Sequence, residues 1–148
     1  MLTKIIIITF NFTFVSHFLA AEMDEINAYL GAIEQKLSGT TKSPAEEFAK
    51  CNYEYAQLLA AVGRFDEALT YFRTAFTHME SSKNSPIWQL MYCSIGLQYA
   101  TILDYKGQIS DAGDVFEELM RVDPHGIHIG DYALFLHRRK RRFNAAEE

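Results

Sequence analysis

A chain of 148 residues has the length of one domain, and 49% hydrophobic residues are enough to build a core. A formal net charge of −5 argues against general nucleic-acid binding, which needs a basic surface. Two cysteines are too few for a disulfide framework, and no Gly-x-Ser-x-Gly, phosphate-cradling glycine loop or paired-cysteine motif marks a catalytic centre.

Residues 1–21 differ from the rest. Lys4 is their one charge, Ile5 to Ala20 is largely apolar, and Leu19-Ala20-Ala21 precedes acidic Glu22. That is the layout of a signal peptide, and the run is shorter than the roughly 20 residues of a membrane span. The alternatives are an uncleaved apolar N-terminus that packs on the first repeat, or a mis-assigned first exon. The compartment follows the choice: the secretory pathway if residues 1–21 act as a signal, the cytoplasm otherwise. Asn11-Phe-Thr13 is a formal glycosylation sequon inside this apolar segment, and no role is assigned to it.

Residues 22–42 are read as a capping helix and linker. Ile26, Tyr29, Leu30, Ile33 and Leu37 form one apolar stripe, and Glu22, Asp24 and Glu25 suit a helix N-terminus. Ser38 to Lys42 is the linker. Ser43-Pro44-Ala45-Glu46 then starts a helix, with Ser43 as cap, Pro44 in the first turn and Glu46 closing a capping box. Gly63 breaks that helix. Phe65, Ala68, Leu69, Phe72, Ala75, Phe76 and Met79 make the apolar face of the next one, with small Ala68 and Ala75 where another helix crosses. Met79 to Ser85 is a polar loop, and Pro86 is expected to open a helix that buries Trp88, Met91, Ile95, Tyr99 and Ile102. Ile109, Ala112, Phe116 and Leu119 face inward on its partner, which Asp123-Pro124 stops. Tyr132, Ala133, Phe135 and Leu136 mark a further helix, in which Ala133 or Leu134 takes the crossing position.

The hairpin recurs. Gly107-Gln-Ile109-Ser-Asp-Ala112 repeats Gly63-Arg-Phe65-Asp-Glu-Ala68 at an offset of 44, and Arg141-Arg-Phe143-Asn-Ala-Ala146 begins a third copy 34 residues later. Repeats of this length indicate a solenoid. At these residues the chain resembles the tetratricopeptide repeat (TPR) family. The motif is Gly-x-aromatic-x-x-Ala, an aromatic four residues on, a small residue three further, and a proline near the helix end. Gly63, Phe65, Ala68, Phe72 and Ala75 fit it in the first copy, with Glu80 where proline is expected. Gly107, Ala112, Phe116 and Pro124 fit it in the second, with Ile109 for the aromatic and Leu119 for the small residue. The third copy has Arg141 in place of glycine. The longer first repeat is similar to those of the kinesin-light-chain type.

The resemblance, which covers roughly residues 45–148, implies an all-α fold. It would be a right-handed superhelical α-solenoid of antiparallel helix pairs, with the array over residues 43–148 as two full repeats and a truncated third. It also implies a concave groove lined by Lys50, Tyr53, Gln57, Ser94, Leu97, Thr101, Asp104, His128, Asp131, Phe135 and Arg138. Such a groove holds an extended peptide or a partner helix. The expected function is a non-catalytic protein–protein interaction scaffold or adaptor. The alternatives are a docking or regulatory module of a larger enzyme continuing beyond residue 148, or a structural fragment that self-associates through an open C-terminal end. Some TPR proteins hold acidic chaperone tails in a Lys/Asn/Arg clamp. Here Tyr53, Gln57, Gln98, His128 and Tyr132 stand at the clamp positions, so the clamp is essentially absent.

Three further features were weighed. Arg138 to Arg142 is a five-residue basic run, compatible with a nuclear-localisation signal or with an acidic partner or membrane surface; a solvated inter-helix turn is the favoured reading. His125, His128 and Asp131 have a spacing that suits zinc on a helix, but Gly126 and Gly130 weaken the helix and a fourth ligand is missing, so no metal and no cofactor is expected. Cys51 and Cys93 sit two residues out of register in successive helices, which favours buried free thiols over a disulfide.

Overall fold

The computed structural model describes residues 21–39 and 44–146; among them the chain is all-α, with six α-helices and no strand. Residues 1–20, which hold most of the expected signal segment, and residues 40–43, which hold most of the linker and the expected cap Ser43, lie outside that range. So do residues 147–148. No helix among the described residues is long and apolar enough to cross a membrane.

The helices are α1 (Ala21–Gly39), α2 (Ala45–Ala61), α3 (Phe65–Met79), α4 (Gln89–Tyr105), α5 (Ile109–Val122) and α6 (Ile129–Ala146). Each packs mainly on its neighbours in sequence. The α2–α3 and α4–α5 pairs are hairpins with the same turn. Gly63 and Gly107 take φ of +81° and +80°, a region an L side chain rarely enters. The Gly63 amide donates to the Ala60 carbonyl at 3.1 Å, and the Arg64 amide to Leu59 at 2.9 Å. Forty-four residues on, Gly107 donates to Asp104 at 3.0 Å and Gln108 to Leu103 at 2.9 Å. Both turns are therefore Schellman caps, which satisfy the last carbonyls of a helix through a left-handed glycine.

The small residues of the repeat make close packing possible. Ala49, Ala56, Ala68, Ala75, Ala100 and Ala112 are fully buried, and Phe72 and Phe116 fill the space beside them. Gly96 was not singled out by the sequence pattern. A Cβ there would meet Leu119 Cδ2 at 2.6 Å and Phe76 Cε2 at 2.8 Å, so any side chain on α4 at this point would push aside Phe76 of α3 and Leu119 of α5. Aromatic pairs join successive helices: Tyr55 against Tyr71 at 4.6 Å, Phe76 against Tyr92 at 4.6 Å, and Phe116 against Phe135 at 5.2 Å. On α1, Leu30 and Leu37 are buried, whereas Tyr29 is exposed.

Three expectations are corrected. Pro86 does not open a helix; α4 starts at Gln89, after a 3₁₀ turn over Glu80–Ser82. The segment between the hairpins is tied down by side chains. The Ser82 hydroxyl donates to the Glu46 carboxylate, and the Lys83 ammonium donates to Glu118 at 2.6 Å. Pro44 is the residue before α2 rather than part of its first turn, and the Glu46 carboxylate expected to close a capping box serves Ser82 instead. Finally, Arg141 to Phe143 form no turn. Helix α6 runs unbroken to Ala146, because Arg141 lacks the freedom that Gly63 and Gly107 use to reverse the chain. The described array is thus two hairpins between single helices.

Candidate functional site

Helices α2 and α4 are equivalent members of the two hairpins, and their polar faces meet. Gln98 Nε2 donates to the Tyr53 hydroxyl at 2.6 Å, and Gln57 Nε2 donates to Gln98 Oε1 at 3.2 Å. The three side chains form a ladder across the two helices. Burial pushes the Tyr53 phenol up from its ordinary value, so it stays neutral near pH 7. Each amide keeps further hydrogen-bonding capacity after its one donation. Lys50 and Thr101 flank the ladder and are exposed, as is Gln57; Tyr53, Ser94 and Gln98 are half-buried. The Ser94 and Thr101 hydroxyls donate back to the carbonyls of Leu90 at 2.8 Å and Leu97 at 2.7 Å, as helical serines and threonines commonly do.

Gln57 also borders an open notch of about 240 Å³ between α1 and α2, lined with Tyr29, Ile33, Glu54 and Leu58. Its lining mixes polar and apolar groups, and Gln57 joins it to the ladder. The notch was not legible in the sequence, because Tyr29 was assigned to the packing stripe of α1.

At the other end of α4, Asp104 is only 6% exposed and carries two cations. Arg138 Nη2 lies 2.7 Å from Asp104 Oδ2 and Arg142 Nη1 2.9 Å from Oδ1. Residues 138 and 142 are one helical turn apart, so both arginines of α6 reach the same carboxylate. The basic run is therefore helical, not a turn, and two of its five cations are anchored. Arg139 lies over the Phe143 ring at 5.7 Å. Lys140 and Arg141 are exposed.

The expected groove set divides in two. Lys50, Tyr53, Gln57, Ser94 and Thr101 share the face just described. Leu97 and Asp104 are buried, and His128 and Phe135 are fully enclosed, so these four side chains are not groove walls. For Phe135 the reason is the register of α6, which turns it into the α5 contact, 5.2 Å from Phe116, and for Asp104 it is the pair of arginines that cover it. Ala133 and Leu134, the two candidates for the crossing position, are exposed instead. Asp131 is half-buried, and Arg138 is committed to Asp104. Among the described residues neither ring nitrogen of His128 has a hydrogen-bond partner. His125 is exposed, and its amide donates to Asp123 Oδ1 at 3.1 Å in the turn before α6, so His125 and His128 do not share a helix face. Among the described residues no group of three or more His, Cys, Asp or Glu is placed to hold a metal ion.

Cys51 and Cys93 are free and buried. Burial pushes the Cys93 thiol up to about 11 and raises that of Cys51 as well. Neither is a poised nucleophile.

No protein-family model, no curated protein and no solved structure matches the chain.

Proposed function

We propose that this chain is a TPR-like helical-repeat adaptor that binds an extended peptide segment of another protein along α2 and α4. The observation that carries the reading is the Tyr53–Gln98–Gln57 ladder. It presents amide groups from two equivalent helices on one surface, beside the notch lined by Tyr29, Ile33, Glu54 and Leu58. Amide side chains suit the alternating donors and acceptors of an extended backbone, and the notch suits one side chain of that peptide. The repeated Schellman turns and the neighbour-on-neighbour packing support the α-solenoid reading on which the groove depends. The groove then consists of Lys50, Tyr53, Gln57, Ser94, Gln98 and Thr101, and catalysis is no part of the role.

Selection from a displayed random-peptide library, followed by fluorescence anisotropy of the recovered peptides, tests this. The comparison protein carries Lys50→Glu, Gln57→Ala and Thr101→Arg, all at exposed positions, and must keep the parent's helical circular dichroism. The expected result is peptides that bind the parent and lose at least tenfold in affinity on the variant. Peptides that bind both equally, or no selection above background, overturn the reading.

A further inference from the structure

The first and last described helices carry complementary surfaces. On α6, Ile129, Leu136 and Phe143 recur every seven residues and are 39%, 42% and 59% exposed. Tyr132, between them, stacks on Phe116 of α5 at 5.4 Å and is no part of that exposed row. Helix α6 packs on α5 and, through Arg138 and Arg142, on Asp104 of α4, and among the described residues Ile129, Leu136 and Phe143 stay an open seam at heptad spacing. Its flanks, Arg139 and Lys140, are cationic. At the opposite end, α1 packs on α2 and turns outward a face that includes Asp24, Glu25, Ala28 and Ala32, all exposed.

We infer that α1 of a second copy of this chain docks on the open seam of α6, joining copies head to tail. Two observations select that occupant. First, the charges match: in one antiparallel register Arg139 and Lys140 meet Glu25 and Asp24. The same register sets exposed Leu136 against exposed Ala28, so a large side chain meets a small one. Second, α1 already packs as the helix preceding a hairpin, so an antiparallel α1 on α6 continues the alternation of helices. A symmetric α6–α6 pairing is disfavoured, since it brings two runs of five cations together. The contact is heterologous and does not close on itself, so assemblies lengthen with concentration. The inference rests on the helical-repeat reading and not on the groove.

Sedimentation velocity across a concentration series at low salt tests it. The full chain is expected to sediment faster as its concentration rises, and less so at high salt. A chain with Arg139→Glu and Lys140→Glu, and one with Asp24→Lys and Glu25→Lys, are each expected to stay monomeric. Mixed together they are expected to associate, because the reversed charges now face each other. Oxidation of a chain carrying Ala28→Cys and Leu136→Cys is expected to give a ladder of cross-linked dimers and larger species. A parent that stays monomeric at every concentration overturns the inference. Charge-reversed variants that associate like the parent, a mixture that stays monomeric, or no cross-linked ladder do the same. The Lys50→Glu, Gln57→Ala, Thr101→Arg variant is expected to associate like the parent, which separates a failure here from a failure of the groove.

Discussion

His128 is fully buried, and among the described residues neither ring nitrogen has a hydrogen-bond partner. A buried polar group left unsatisfied costs about 1–3 kcal/mol. His128→Leu removes that cost while filling a similar volume, so it is expected to raise stability by about 1 kcal/mol, read from urea unfolding. A loss of stability instead would show that the imidazole makes a necessary interaction. Cys93 gives a residue-scale prediction for pH. Its thiol is pushed from an ordinary value of 9.0 to about 11, chiefly by burial. Below pH 9 both folded and unfolded chains hold the proton. Between about pH 9 and 11 the unfolded chain releases it and the folded chain does not, so stability falls as pH rises through that window. Cys93→Ala is expected to flatten this alkaline slope in a series of unfolding curves. An unchanged slope would place its cause elsewhere, for instance at Tyr92, whose phenol burial also raises.

At the scale of elements, the two Schellman turns define the hairpins. Gly63→Ala and Gly107→Ala force a side chain into the left-handed region, at about 1–2 kcal/mol each. Nothing lies within 4 Å of a Cβ at either position, so the loss reports backbone strain alone. Arg141→Gly provides the contrast. It sits inside the continuous α6, where glycine costs about 1 kcal/mol relative to alanine and creates no turn. Thermal melts with far-ultraviolet circular dichroism check all three, and a Gly63→Ala protein as stable as the parent would contradict the account.

These elements also show what was legible. The hairpins could be read because a left-handed glycine and a 3.6-residue apolar period are local properties of the chain. The third turn was misread because its alanines and Phe143 matched while the one residue that reverses the backbone did not. Pro86 was misread for a different reason. The bonds that shape its segment, Ser82 to Glu46 and Lys83 to Glu118, span about 35 residues and leave no local pattern.

At the scale of the whole molecule, the same limit explains the candidate site. Lys50, Tyr53, Gln57, Ser94 and Thr101 were placed on one face by the repeat resemblance, and of these Tyr53 and Gln57 meet Gln98 of α4. Asp104 and Phe135 were placed by the same rule, but the long reach of Arg138 and Arg142 and the packing of Phe135 on Phe116 draw them inside. Burial is a property of the assembled array, and a residue's own helix does not determine it. The groove proposed above places a peptide along α2 and α4. The most direct test is a titration of a selected peptide into the ¹⁵N-labelled chain, followed by amide chemical shifts. The account predicts changes concentrated at residues 50–57 and 94–101, with Tyr29 and Ile33 moving if the notch is filled. Changes confined to α5, or to the Ile129–Phe143 seam of α6, would contradict it.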